Sequence, residues 1–310
     1  MSEYWYPHDW FTLNLVVVFD YLVYSSLYLS FAAGFMAYIS SVLHEVSFNP
    51  AVFVLGMLIT YSVYNLNRKT DESEDAINHS KRYGFTKKYE RLLFSTAIGA
   101  YILALAISWL YGPAVVVISA IPLISGVVYS APVFPRGFPY RRLKEIPVAK
   151  SLIVAVAWAL PPTLLPVYIA GAFPDTITLA AILFFFSLVF INTVLFDMRD
   201  VEGDRLTGVR TIPVCIGIAA TTLLLKMVNI IFGVTVVLLL WNKIPLAYIM
   251  LIVMGIFYAH WYIRNYRKIS ESNLLCDLIA DGQFIALGLL MVVIVAVSAS
   301  FNPAGIAAAI

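Results

Sequence analysis

Residues 176–205 read TITLAAILFFFSLVFINTVLFDMRDVEGDR. Positions 176–196 carry no charge, and a helix needs roughly 20 mainly apolar residues to cross a bilayer. This stretch therefore predicts one complete membrane span. The next nine residues hold four acids and two arginines. Charge inside hydrocarbon is costly and marks function or a boundary. The acids accordingly mark the place where the span meets water.

The rest of the chain extends that reading. Of 310 residues, 61% are hydrophobic and only 12% charged, against about a quarter charged in soluble domains. The net charge of +2 gives no reason to expect nucleic acid. Cys215 and Cys276 form no disulfide or zinc pattern. The start, MSEYWYPHDW, lacks the features of a cleavable signal peptide.

Apolar runs at 11–43, 49–66, 92–130, 151–174, 176–196, 211–242, 244–263 and 282–310 supply the spans. The 92–130 run is too long for one helix and divides at Gly112-Pro113, whereas 11–43, interrupted by Asp20, is read as a single tilted span. The expectation is an all-α integral membrane protein of nine transmembrane helices around a central cavity, in one domain covering 1–310. Cytoplasmic loops are placed at about 66–91, 131–150, 197–210 and 264–281. Those loops and their flanks hold every Lys and Arg except Lys226 and Lys243. Basic residues favour the cytoplasmic side, so the N-terminus is expected in the cytoplasm and the C-terminus outside, in the cell membrane.

Two acidic clusters then fall on the cytoplasmic side, at the ends of the second and sixth spans. Asp197, Asp200 and Asp204, spaced i, i+3, i+7, are expected on one helical face. Asn67, Asp71 and Asp75, in NRKTDESED, are spaced i, i+4, i+8. The two stretches align Asp71 with Asp200, Asp75 with Asp204 and Arg68 with Asp197, as a parallel repeat would. Taken alone, an acidic cluster also has the reading of a solvated helix end. Together, oxygen-only donors suit a hard cation such as Mg²⁺, which shares its shell with phosphates. Between them, PRGFPYRRLKEIPVAKS offers Tyr140, Lys144 and Lys150, which serve either positive-inside topology or phosphate binding. Tyr61, Tyr64 and Asn192 precede the clusters on their helices, and the tyrosines read as cation-stabilising aromatics or as belt residues. Asp20 is expected to face the cavity, Lys226 to snorkel, and Trp158 with Pro161-Pro162 to mark a bent fifth span.

The motifs DMRDVEGD, NRKTDESED and YRRLK, together with RLTGVRTIPVCIG, resemble those of the UbiA superfamily of intramembrane prenyltransferases, in particular the 4-hydroxybenzoate polyprenyltransferase type of archaea and bacteria. Arg68 stands where that family has a second-position Asp, and AINHSKRYGF departs from the usual continuation. The resemblance implies Mg²⁺, two ions bridging to a diphosphate, held by Asn67, Asp71, Asp75, Asp197, Asp200 and Asp204. It implies catalytic roles for those aspartates and Lys144, with Arg68, Tyr140, Lys144 and Lys150 on the diphosphate. The implied reaction moves a prenyl group from a polyprenyl diphosphate, through an allylic carbocation, to a membrane-accessible acceptor. That acceptor is an aromatic quinone precursor such as 4-hydroxybenzoate, or alternatively a glycerol-phosphate lipid. Membrane lipid is the expected surrounding, and no obligatory protein partner is readable. A secondary transporter with acidic cation sites is the rival of a different class, but its sites would lie near the bilayer midplane. A non-catalytic isoprenoid-binding scaffold would not need two metal clusters.

Overall fold

The computed structural model describes residues 10–69, 72–131, 135–137, 140, 142–143, 146 and 148–301. Among them the chain is helical, with no strand. The long helices are α2 (Leu27–Leu43), α3 (Pro50–Asn67), α6 (Glu90–Leu110), α7 (Pro113–Ser130), α8 (Ala149–Ile169), α9 (Thr176–Arg199), α11 (Ile212–Leu240), α12 (Leu246–Arg264) and α14 (Asn273–Phe301). Shorter helices are α1 (Trp10–Tyr24), α4 (Glu72–Asn78), α5 (Ser80–Lys88), α10 (Val201–Thr207) and α13 (Tyr266–Ile269).

Local chemistry fixes several of the ends. Asn49 caps α3 by accepting from the Ala51 amide at 2.9 Å, with Pro50 in the first turn. This arrangement satisfies an otherwise orphaned amide and uses the ring's preset φ. Asp175 and Thr178 form a reciprocal capping box at the start of α9, which meets two orphan donors at once.

Among the described residues seven helices are long and apolar enough to cross a membrane, and the bent pair α1–α2 makes an eighth if read as one broken span. Helix α7 is a shorter apolar helix. The long helices contact one another in chain order, and α14 closes back on α2, so they form a ring. Contacts of α8 with α2 and α3 and of α9 with α2 draw the ring together. Phe184, Phe185, Leu188 and Ile191 of α9 are buried in its larger core. Leu223, Met227, Ile230, Ile231, Val234 and Leu238 of α11 face outward. Their spacing puts them on one flank, the pattern of a helix that presents apolar side chains to lipid.

Two expectations need correction. The 11–43 run is not one tilted span: α1 and α2 meet at 71°, and Ser26 sits at φ 66. The cause is tertiary, because Tyr21 and Tyr24 of α1 pack on Phe85 of α5 at 5.2 and 5.9 Å, which draws α1 out of line with α2. The last span begins at Asn273 rather than 282, because Asp277 inside it is neutralised by Arg199 of α9. Helix α8 runs unbroken through Pro161 and Pro162.

Candidate active site

A cavity of about 320 Å³ opens between α2, α3, α8, α9 and α14. Its wall combines charged residues (Arg68, Arg82, Lys150, Asp197, Arg199, Asp200, Asp277, Asp281) with apolar and aromatic ones such as Val154, Trp158, Val189, Phe196 and Phe284. A second cavity of about 240 Å³ lies between α3, α7 and α8 and shares Tyr64, Arg68, Arg82, Val154 and Trp158 with the first. Tyr64 and Trp158 pack against each other with ring centroids 5.2 Å apart and planes tilted by 33°.

The acidic stretch does not form one helical face. Helix α9 ends at Arg199, Asp200 occupies the junction, and α10 starts at Val201. The break points the three aspartates at different partners. Asp197, 4% exposed, accepts from Lys150 Nζ at 2.9 Å and from Ser151 Oγ at 3.3 Å. Asp200 accepts from Arg199 Nε at 2.9 Å and Nη2 at 3.2 Å, and its Oδ2 lies 3.2 Å from His79 Nε2. Arg199 in turn donates through Nη1 to Asp277 at 2.7 Å. Asp204, 6% exposed, accepts from Thr211 Oγ1 at 3.2 Å.

The electrostatics follow from these partners. Burial alone would raise the Asp200 carboxyl, but the His79 hydrogen bond and the Arg199 guanidinium outweigh it and hold it well below the usual carboxylate range. Burial, countered by Lys150 and reinforced by Asp197, pushes Asp204 up to about 6. His79 is lowered, first by burial, against the Asp200 hydrogen bond and with help from Arg82 and Arg199.

Among the described residues no three His, Cys, Asp or Glu gather around a metal-sized space. The mouth nonetheless offers the carboxylate oxygens of Asp197 and Asp200, with the His79 imidazole beside them, and each of these two aspartates already faces a cation. That donor chemistry fits a hard divalent ion, with Lys150 and Arg199 as the positive charges now beside it.

The other expected site residues are spread unevenly. Arg68 caps α3, lines both cavities and donates to Val23 O at 3.4 Å. Asn67 lines the second cavity beside Gly126. Lys150 lines the first. Tyr140 lines neither cavity. Asp71, Lys144 and the side chain of Asp75 lie outside the described residues. Asp20 is not among the residues lining the cavity. Tyr61 bonds Thr96 at 2.7 Å instead. Sequence reasoning missed His79, Arg82, Asp277 and Asp281. The i, i+4 spacing of Asp277 and Asp281 at the head of the last apolar run is the signal that finds the two acids. His79 and Arg82 carry no comparable signal.

The two acidic stretches are brought together through their flanks. Helix α4 packs on α10, Gly203 of α10 lies against Asn78 of α4, and Asn273 at the start of α14 contacts His79 at 3.2 Å.

Residues 26–279 match the model of the UbiA prenyltransferase family. No curated protein sequence matches the chain. Among solved structures, a UbiA homologue from Archaeoglobus fulgidus bound to GPP and Mg²⁺ is similar at 19% identity and TM-score 0.63, over 87% of this chain and 98% of that one. An apo UbiA homologue from Aeropyrum pernix K1 is similar at 13% identity and TM-score 0.61, over 85% and 97%. A digeranylgeranylglyceryl phosphate synthase is similar at 14% identity and TM-score 0.58, over 87% and 95%.

Proposed function

The chain belongs to the UbiA prenyltransferase family, and we propose that it transfers a prenyl group from a polyprenyl diphosphate to a membrane-accessible acceptor in an Mg²⁺-dependent reaction. It is an integral, multi-pass membrane protein. In this reading α7 is also a crossing, which makes nine. The cavity mouth faces the cytoplasm, since α4, α5 and α10 carry the basic and acidic loop residues.

The observation that carries the proposal is the polarity of the central cavity. Its mouth gathers Arg68, Arg82, Lys150 and Arg199 beside Asp197 and Asp200, while Val154, Trp158, Val189, Phe196 and Phe284 line the rest. An amphiphile with a diphosphate head and a hydrocarbon tail matches that division. When bound, Mg²⁺ would supply Lewis-acid neutralisation of diphosphate oxygens, held by Asn67, Asp71, Asp75, Asp197, Asp200 and Asp204. The guanidinium groups of Arg68 and Arg82 are suited to bidentate contact with phosphate. Lys150, together with Tyr140 and Lys144 of the YRRLK stretch, adds donors that stabilise charge developing on the leaving group. Tyr64 and Trp158 present aromatic faces where the allylic carbon becomes cationic, each worth about 0.5–2 kcal/mol. Arg68, in place of a family aspartate, exchanges a metal ligand for a phosphate partner.

The acceptor completes the reaction by attack on that carbon. An aromatic quinone precursor such as 4-hydroxybenzoate is the first to assay, and a glycerol-phosphate lipid the second. Labelled geranyl and geranylgeranyl diphosphate, presented with this panel in detergent, should release diphosphate only with Mg²⁺. Turnover should collapse in Asp71→Ala and Asp200→Ala. Full turnover in either variant, or in EDTA, overturns the proposal.

A further inference from the structure

We propose that the cavity wall between Asp281 on α14 and Ser26 at the α1–α2 break is the acceptor subsite, and that it recognises a hydroxyl group through a hydrogen bond to Asp281. This rests on the prenyl-transfer reading and specifies its second substrate.

Position is the first argument. Asp277 pairs with Arg199 at the mouth, and Asp281 follows one turn along α14, about 6 Å deeper at the helical rise per residue. Asn192, which contacts Asp281, likewise lies more than one turn before Asp197 on α9. The subsite is therefore one turn below the charged mouth, at the depth where the first carbons of a prenyl chain would follow its diphosphate.

Hydrogen-bond capacity is the second argument. Asp281 Oδ1 accepts from Asn192 Nδ2 at 3.2 Å. Asn192 is otherwise saturated: its Nδ2 also donates to Ala280 O at 2.8 Å, and its Oδ1 accepts from Tyr262 at 2.7 Å and Gln283 at 2.9 Å. The Tyr28 hydroxyl spends its proton on Leu278 O at 3.0 Å, in a space that only Gly282 leaves open. Asp197, Asp200 and Asp277 each have a cation within ion-pair distance. Among the described residues Asp281 has none, and its carboxyl keeps acceptor sites directed to the cavity it lines.

Ser26 supplies an independent observation. It is 2% exposed, it lines the same cavity, and its Oγ has no hydrogen-bond partner among the described residues. A buried hydroxyl left without a partner is destabilising, and a bound polar group on this wall relieves it. A hydroxyl donates to Asp281 and accepts from Ser26 at once.

The test uses the full-length protein in detergent with two hydroxyl probes, 4-hydroxybenzoate and a glycerol-phosphate ether lipid, and the O-methyl ether of each. Asp281→Asn keeps the oxygen that Asn192 needs but turns the free acceptor into a donor. We expect the acceptor KM to rise about tenfold, the worth of one lost hydrogen bond, with the KM for prenyl diphosphate unchanged. The methyl ether, a poor inhibitor of the wild type, should inhibit D281N better, an inversion that a purely structural role would not produce. Ser26→Gly, which suits the backbone at φ 66, should raise the acceptor KM alone. Unchanged acceptor KM in both variants, or an equal rise in both substrates' KM values, overturns the subsite. So does a wild type that binds prenyl diphosphate but prenylates neither probe. Failure to bind prenyl diphosphate at all overturns the parent reading instead.

Discussion

Arg199 sits between two carboxylates, and removing either partner or the arginine itself should have unequal effects. Its guanidinium donates to Asp277 at 2.7 Å and to Asp200 at 2.9 and 3.2 Å. All three side chains are largely withdrawn from solvent, at 6% for Arg199, 13% for Asp277 and 18% for Asp200. In Asp277→Ala the cation keeps Asp200, so the loss is one charge-assisted hydrogen bond, about 1.5–3 kcal/mol. In Arg199→Met two carboxylates remain without their shared cation, and breaking a buried pair in this way costs about 3–5 kcal/mol. Arg199→Met combined with Asp277→Leu should recover part of the loss of the single arginine variant, because it removes one of the two stranded charges and leaves Asp200 to His79. Unfolding in mixed micelles, followed by circular dichroism, measures all three. An Asp277→Ala loss that equals or exceeds that of Arg199→Met, or a double variant no better than Arg199→Met, would refute the clamp.

Further outcomes follow from other contacts. A Cβ at Gly203 would collide with the Asn78 amide, so Gly203→Ala should destabilise the wild type. In an Asn78→Ala background the same change should stabilise by about 0.5–1 kcal/mol, the helix-propensity gain, and equal effects in both backgrounds would deny the α4–α10 contact. Asp204 is pushed up to about 6 from 3.8, so the folded state holds its proton more tightly than the unfolded chain. Its contribution to stability is present below pH 3.8 and lost as pH rises through 6. Asp204→Asn, a mimic of the protonated acid, should abolish that part of the pH dependence. Unfolding curves of both proteins from pH 4 to 7 would show it, and parallel curves would exclude it.

The helices were legible because crossing a bilayer demands length and apolarity, which are local properties. Gly112-Pro113 divided α6 from α7 for the same local reason, and DMRDVEGD stood out because acids at a span's end have few structural excuses. The break at Ser26 was not legible, since no glycine or proline marks it and its cause is Phe85, far along the chain. Nor was the true start of α14: hydropathy excludes Asp277 and Asp281, and only Arg199, supplied by another helix, makes their place there tolerable. The expected single face of Asp197, Asp200 and Asp204 failed because spacing predicts a face only while the helix continues. Arg82 and His79 were hidden among loop charges, where nothing local separates a site residue from a topological one.

The closure of the ring by α14 on α2 has a consequence for biogenesis. A chain emerging from the ribosome inserts α2 through α12 before α14 exists. Until then the cavity lacks one wall, Arg199 lacks Asp277, and Asn192 lacks Asp281. The nascent protein thus holds an open trough rather than a compartment. Substrate handling becomes available only when α14 arrives, which couples insertion of that helix to the appearance of the chamber itself.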